Sequence, residues 1–266
     1  MKKFLIPDLH IECAYAIYGK GPNVVLIHGL CDSGKAWETH AQALAPKYRV
    51  LVPDLPGYGH SQPFTDGDFS MEHLQRAVFA LADAEKMDTF TVVGHSMGGY
   101  TALAMLEAQP KRLEGISLFH STSHGDSEEK RNGRDRSVRV LRQNRSLFFR
   151  EVFKNLFNSE RLELFMPIVQ RMYELSADIE TDTVIHTLLA LRDRKDRYEL
   201  LNDFHGRISY FIGRHDNVFP ADTLIREAQS LGAHYHVSEP SGHMGFYEDP
   251  KATEEYLHAF LGNTTA

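Results

Sequence analysis

The sequence has two cysteines, Cys13 and Cys31, and one tryptophan in 266 residues. Two thiols cannot build a disulfide framework, and no Cys/His cluster has zinc spacing. Neither a stapled scaffold nor a metal-held module is therefore expected, and no metal or cofactor is called for. No apolar run approaches the ~20 residues of a membrane helix. The first residues, Met1-Lys2-Lys3-Phe4-Leu5-Ile6-Pro7-Asp8, lack the apolar stretch of a signal peptide. A cytoplasmic protein without a membrane partner is the expectation. Basic residues are too few for nucleic acid: 29 Lys and Arg stand against 36 Asp and Glu, a net charge of −7. There is no internal repeat and no low-complexity tract. The length suits one large α/β domain carrying an insertion.

What is present is an alternation of strand and helix patterns with one unusual joint. Thr89-Phe90-Thr91-Val92-Val93 reads as a buried strand, and Tyr100 to Glu107 as a helix. Between them lies Gly94-His95-Ser96-Met97-Gly98. A serine on so sharp a strand-to-helix turn needs tiny neighbours two positions either side and accepts dihedrals a non-glycine residue dislikes. Its hydroxyl then stands clear of the sheet at a helix N-terminus, where free N–H groups favour a developing anion.

A serine hydroxyl needs a base, and the base needs a carboxylate to orient it. Ile208 to Gly213 reads as a strand, with Asp216 just beyond its end; His234 to Val237 reads as another, followed by His243 in a glycine-containing loop. The candidate catalytic residues are therefore Ser96, Asp216 and His243, each at the carboxyl end of a strand, where open parallel sheets place their chemistry. After the strand Asn23–Ile27 comes His28-Gly29-Leu30. The backbone N–H groups of Leu30 and Met97 are the candidate oxyanion hole, one such donor being worth roughly 10²–10³ in turnover. His28 reads as a loop brace, and Asp54 as a structural residue of its glycine loop. Cys31 reads as an inert buried thiol.

These motifs, with Asp54-Leu55-Pro56-Gly57-Tyr58-Gly59-His60-Ser61 and Glu248-Asp249-Pro250, resemble the α/β-hydrolase superfamily over nearly the whole chain. The order Ser96, Asp216, His243 is that family's order. The resemblance implies an α/β fold: a mostly parallel eight-stranded sheet flanked by helices, with an all-helical cap inserted after the sixth strand. The core would be residues 1–120 and 205–266, the cap 121–204. It also implies a serine hydrolase acting on a small or medium carboxylic ester through an acyl-enzyme, with an apolar acyl part. Ser96 argues against the dehalogenases and epoxide hydrolases of the family, which carry aspartate at that turn. Carbon–carbon bond hydrolases of dienoates or β-diketones share the triad and stay open, as does a hydrolase-fold ligand receptor.

Within residues 121–204 the strand pattern stops, and helices are expected over 126–144, 146–157, 159–175 and 181–192. Two features stand out there. One is a basic run, Lys130, Arg131, Arg134, Arg136, Arg139, Arg142, Arg145 and Arg150. It reads first as a solvated helix face. Its functional alternative is recognition of an anionic acyl group or an acidic carrier protein, because guanidinium forks bind carboxylates and phosphates bidentately. Carrier-protein methyl ester esterases of the superfamily use a basic cap so. The other feature is an apolar set from which Phe148, Phe149 and Met166 are expected to line a substrate pocket. Val218 and Met244, beside Asp216 and His243, are added as substrate-binding candidates. His120 is a further candidate, and His124 a weaker one. The oligomeric state is not legible.

Overall fold

The computed structural model describes residues 1–64 and 69–262. Its elements run β1 (Lys2–Ile6), β2 (Ile11–Tyr18), β3 (Asn23–Ile27), α1 (Glu38–Leu44), β4 (Arg49–Pro53), α2 (Met71–Ala84), β5 (Phe90–His95), α3 (Met97–Ala108) and β6 (Leu113–Phe119). Five helices follow without a strand: α4 (Glu128–Gln143), α5 (Arg145–Asn155), α6 (Leu162–Leu175), α7 (Thr181–Asp193) and α8 (Tyr198–Asn202). The alternation then resumes with β7 (Arg207–Gly213), α9 (Ala221–Ser230), β8 (His234–Ser238), α10 (Gly245–Glu248) and α11 (Pro250–Gly262).

The eight strands form one sheet in the order β1-β2-β4-β3-β5-β6-β7-β8. Only the β1–β2 and β2–β4 pairings are antiparallel. The chain turns back on itself at β3: β4 lies on one side of it and β5 on the other. Loops leaving β3 and β5 therefore diverge into a crevice at the carboxyl edge, where doubly wound sheets bind ligands. Central strands must be apolar on both faces, and every residue of β5 is buried. The helix that follows, α3, is buried from Met97 to Leu106, between the sheet and its neighbours α2 and α8. Such a helix can carry few polar groups, and its sequence has almost none.

Ser70 caps α2, accepting from the His73 amide at 3.2 Å, while the His73 ring returns a contact to the Ser70 hydroxyl at 2.8 Å. A histidine thus fills the acid's place in a capping box. The helix that follows the β3 loop begins as a 3-10 turn, Gly34–Trp37, before α1. β1 has no strong sequence signal, since Lys2 and Lys3 leave only three apolar residues; β2 supplies the partner that makes it a strand. α6 carries Pro167 within it, where the missing N–H and the ring both oppose the helix.

The helical stretch between β6 and β7 is tied to the sheet at both roots. Buried Glu227 of α9 accepts from the Ser123 amide and hydroxyl, each at 2.7 Å, from Thr122 Oγ1 at 2.5 Å and from Tyr210 Oη at 2.8 Å. At the other root Arg197 donates to Glu72 at 2.8 Å and to Glu107 at 2.7 Å, and its amide bonds Ser123 O at 2.9 Å. No helix among the described residues is long and apolar enough to cross a membrane.

The joint around residue 96 has no room for side chains at its flanking glycines. A Cβ on Gly98 would run into the Ile27 carbonyl, and one on Gly94 into the backbone of Gly98. Gly98→Ala should lower stability by about 1–3 kcal/mol, as overpacking does. Urea unfolding that leaves the midpoint unmoved would contradict this packing.

Candidate active site

The register of the sheet brings distant residues to one edge. His95 lies opposite Phe119, and Phe119 opposite Phe211. The residues that follow continue the ladder: the Ser96 amide bonds Phe119 O at 3.0 Å, and the His120 amide bonds Phe211 O at 2.8 Å. Gly213 pairs with Ser238, which places the turns carrying Asp216 and His243 side by side. Ser96 has φ 51° and ψ −113°. A non-glycine residue in that region is strained and is kept there only by over-determined surroundings. Two of those surroundings are the glycines just described. His120, at the next strand end, also has positive φ, 47°.

Asp216 is the hub. Its Oδ2 accepts from His243 Nδ1 at 2.8 Å and from His120 Nδ1 at 3.2 Å. Its Oδ1 accepts from the amides of Val218 at 2.8 Å and Phe219 at 3.0 Å. Burial alone would raise its pKa. The opposing charge of His243 and the hydrogen bonds from His120 and His243 outweigh burial, and they hold the carboxyl well below the usual carboxylate range.

His120 has its tautomer fixed by its own contacts. Its Nε2 accepts from the Gly245 amide at 3.1 Å, so the proton sits on Nδ1 and points at Asp216. His95 lies against the same group, its Nε2 donating to the His243 carbonyl at 2.9 Å. The three imidazoles lie within 6.0 Å of one another, centre to centre. Burial pushes the pKa of His120 down, and for His95 burial and the neighbouring histidines push it well below its ordinary value. Two of the three rings are thus kept neutral around a single carboxylate. His120, Asp216 and His243 also present ligand atoms within 4.8 Å of one another, a grouping that a metal ion could use. In the arrangement observed, however, both facing ring nitrogens are spent as donors to Asp216.

A cavity of about 220 Å³ opens above this group. Ser96, half-buried, and His243 both line it, together with Leu30, Phe148, Val218 and Met244. Neither the Leu30 nor the Met97 amide has a protein acceptor among the described residues; Leu30 lines the cavity, and Met97, fully buried, follows Ser96 as the first residue of α3. His28 braces their loop as its sequence position suggests: its Nδ1 meets Gly29 O at 2.8 Å and its Nε2 accepts from the Leu55 amide at 2.9 Å. Asp54 stays within its glycine loop, accepting from the amides of Gly34 and His60. Cys31 is buried and burial drives its thiol pKa up, as for Cys13, which is pushed up to about 12.

Three expected substrate contacts lie elsewhere. His120 is fully buried beneath Asp216, because both its nitrogens are bonded there. Phe149 is turned into the aromatic stack with Phe148 and Phe153, under the Arg145 guanidinium. Met166 sits half-buried on α6, which does not reach the cavity. His124 stacks on Tyr198 and pairs with Asp196 at 3.0 Å, away from the site.

The sequence reading missed Tyr100, Asp32 and the placement of Arg134, all of which line the cavity. Tyr100 looked like an ordinary core position of α3. Asp32 lies just beyond the His28-Gly29-Leu30 loop, and its polar character there was the available signal. Its Oδ1 accepts from the Ser33 amide at 2.8 Å, while Oδ2 is shut away with no partner. Burial pushes its pKa up to about 7.

The chain matches the family model for the alpha/beta hydrolase fold over residues 22–250, and it belongs to that family. It is similar to a pimeloyl-[acyl-carrier protein] methyl ester esterase of Aeromonas salmonicida, 35% identical over 105 residues, 40% of each chain. A 2-hydroxy-6-oxononadienedioate/2-hydroxy-6-oxononatrienedioate hydrolase of Cupriavidus pinatubonensis is 24% identical over 90% of this chain and 86% of its own. The corresponding hydrolase 1 of Dechloromonas aromatica is 31% identical, but the match spans less than half of either protein, 46% of this chain and 44% of that one. Among solved structures, a thermophilic esterase from Thermogutta terrifontis superposes with a TM-score of 0.88 at 24% identity, covering 95% and 93% of the two chains. The enol-lactonase from Burkholderia xenovorans LB400 gives 0.88 at 22% identity, covering 98% and 100%. These likenesses establish the fold.

The position of Asp32 has a measurable consequence. An unfolded aspartate ionises near pH 4, whereas this one holds its proton to about 7. Between those values the folded chain binds more protons than the unfolded one, so the stability Asp32 contributes falls as pH rises from 4 to 7. Asp32→Asn should therefore stabilise the protein more at pH 8 than at pH 4, by about 1–3 kcal/mol at the upper pH. Equal unfolding midpoints for both variants at pH 8 would show that the carboxylate is not confined in this way.

Proposed function

We propose that the protein is a serine hydrolase that cleaves a small carboxylic ester through an acyl-enzyme. The observation that carries this reading is a buried Asp216–His243 pair, 2.8 Å apart, whose His243 lines the same cavity as a strained, half-exposed Ser96. Ser96 Oγ attacks the ester carbonyl carbon while His243 Nε2 takes its proton. Asp216 fixes the proton of His243 on Nδ1 and stabilises the imidazolium that forms. The Leu30 and Met97 amides hold the tetrahedral oxyanion. Collapse breaks the bond to the leaving alcohol, which receives the proton from His243. Water, deprotonated by the same nitrogen, then attacks the acyl-enzyme; the bond to Ser96 Oγ breaks, His243 returns the proton to that oxygen, and the acid leaves.

His95 and His120 serve this cycle by staying neutral. A second protonated imidazole around Asp216 would compete for its charge and lower the basicity of His243. His120 is a positioning residue: it holds Asp216 from one side and the turn after His243 from the other. Residues 121–204 form the cap, whose α4, α5 and α7 roof the cavity. The volume supports a small substrate, since drug-sized ligands occupy roughly 300–1,000 Å³. A carbon–carbon bond hydrolase would use the same serine and base; the likeness to the Cupriavidus hydrolase keeps it as a second reading.

Ser96→Ala should reduce ester turnover by at least ~10³. A fluorophosphonate should label Ser96 and no other residue, as read by peptide mass spectrometry. Full activity in the alanine variant, or labelling at another position, would remove the assignment. Turnover of short esters against a vinylogous β-diketone separates the two readings: the ester should be cleaved faster.

A further inference from the structure

The basic run of the cap does not act as one face. Arg145 is consumed locally, donating to the carbonyls of Ser176 and Ile179 and to Thr181 Oγ1. Arg150 lies over the Tyr173 ring, and Arg136, Arg139 and Arg142 are exposed. Only Arg134 turns inward and lines the cavity that holds Ser96 and His243, with Ser137 one turn along α4.

We infer that Arg134, with Tyr100 and Ser137, forms a carboxylate-binding end of the substrate cavity, so that the ester cleaved carries a second, ionised carboxyl group. This rests on the hydrolase reading above and names its substrate class. Two independent observations carry it. The first is charge. Arg134 Nε bonds Asp126 Oδ2 at 3.1 Å, but Asp126 is shared with Arg194, whose Nη1 lies 2.6 Å from Oδ1. Lys130 stands nearby, its ammonium 4.2 Å from the Phe219 ring centre, and Phe219 in turn packs on His243. Two guanidinium groups thus share one buried carboxylate, with the Lys130 ammonium near enough to feel its charge. The outer guanidinium nitrogens of Arg134 have no protein partner among the described residues. A fork left open in this way suits a carboxylate, which it can bind bidentately.

The second observation is an orphaned hydroxyl. Tyr100 is 2% exposed, lines the same cavity and has no hydrogen-bond partner for its Oη. A buried phenol normally finds one, and leaving it without one costs about 1–3 kcal/mol. The Arg194 guanidinium covers its ring at 4.0 Å, so the hydroxyl sits in a positive field where an anionic acceptor is favoured. Asp32 is the acidic residue of the lining, and it comes from the β3 loop rather than from this wall. Burial holds its proton to about pH 7, which limits its repulsion of an anionic substrate.

The test compares monomethyl succinate, glutarate and adipate with methyl butyrate, valerate and hexanoate. Wild-type kcat/KM should favour the carboxylate series. Arg134→Met should lower that preference by about 10–100-fold, the range expected for a charge-assisted bond. Tyr100→Phe, which removes only the orphan oxygen, should lower it by about 3–10-fold. Asp126 keeps Arg194 in the methionine variant, and circular dichroism checks its fold. Equal rates on both series in the wild type would overturn the carboxylate end while leaving the hydrolase reading intact. So would an unchanged preference in both variants, which would mean that a buried water satisfies Tyr100. If neither series is cleaved and Ser96 resists fluorophosphonate, the hydrolase reading fails. Calorimetry of glutarate binding to Ser96→Ala then decides the anion end alone: binding lost on adding Arg134→Met supports it, and no binding refutes it.

Discussion

The structure depends on one buried anion. The Asp216 carboxyl is buried, and a carboxylate in that position is tolerable only if its lone pairs are filled by donors. Two backbone amides take one oxygen and two imidazole N–H groups take the other. Those four donors come from three pieces of chain: both amides from the turn after β7, one imidazole from the end of β6 and one from the loop after β8. Satisfying one charge therefore aligns three strand ends. The same act fixes how the imidazole is turned, because His243 donates the hydrogen bond from its Nδ1–H to the carboxylate. Fold and chemistry are not separable here.

The strain at Ser96 and at His120 belongs to the same constraint. Both residues leave adjacent parallel strands at positive φ, and both are held by ladder bonds to the next strand. The energy that keeps them there comes from the buried apolar sheet, where β5 and α3 have scarcely a polar side chain. A core of that kind can support local backbone cost because its packing leaves no alternative conformation nearby. The glycines either side of Ser96 are the concession that makes the approach sterically feasible.

Much of this was legible in the residues. The strand-turn-helix pattern around Ser96, the turns after strands that carry Asp216 and His243, and the loop after β3 follow from periodicity and turn chemistry. The helices expected over 126–144, 146–157, 159–175 and 181–192 lie within a few residues of α4, α5, α6 and α7. β1 was not legible, because a five-residue strand starting with two lysines gains its identity only from β2. The pocket wall was read less well. Phe149 and Met166 are large and apolar, and nothing in a helix pattern says which apolar face meets the cavity and which meets a neighbouring helix. His120 looked like a ligand contact because it is polar at a strand end; its two hydrogen bonds turn it under the carboxylate instead. Tyr100 and Asp32 were overlooked since their significance lies in lacking partners, a property that exists only in three dimensions.

The two roots of the helical insertion are both clasped. Glu227 gathers the departing segment through Thr122 and Ser123, and Arg197 fastens the returning one to Glu72, Glu107 and Ser123 O. The segments are thereby stitched to each other as well as to the layer beneath. A clamshell swing about this seam would have to tear several charge-assisted bonds at once. Traffic to and from the chamber must then use smaller displacements, of single helices or of the side chains that roof it. An entrance of that sort discriminates by girth before any recognition by charge begins.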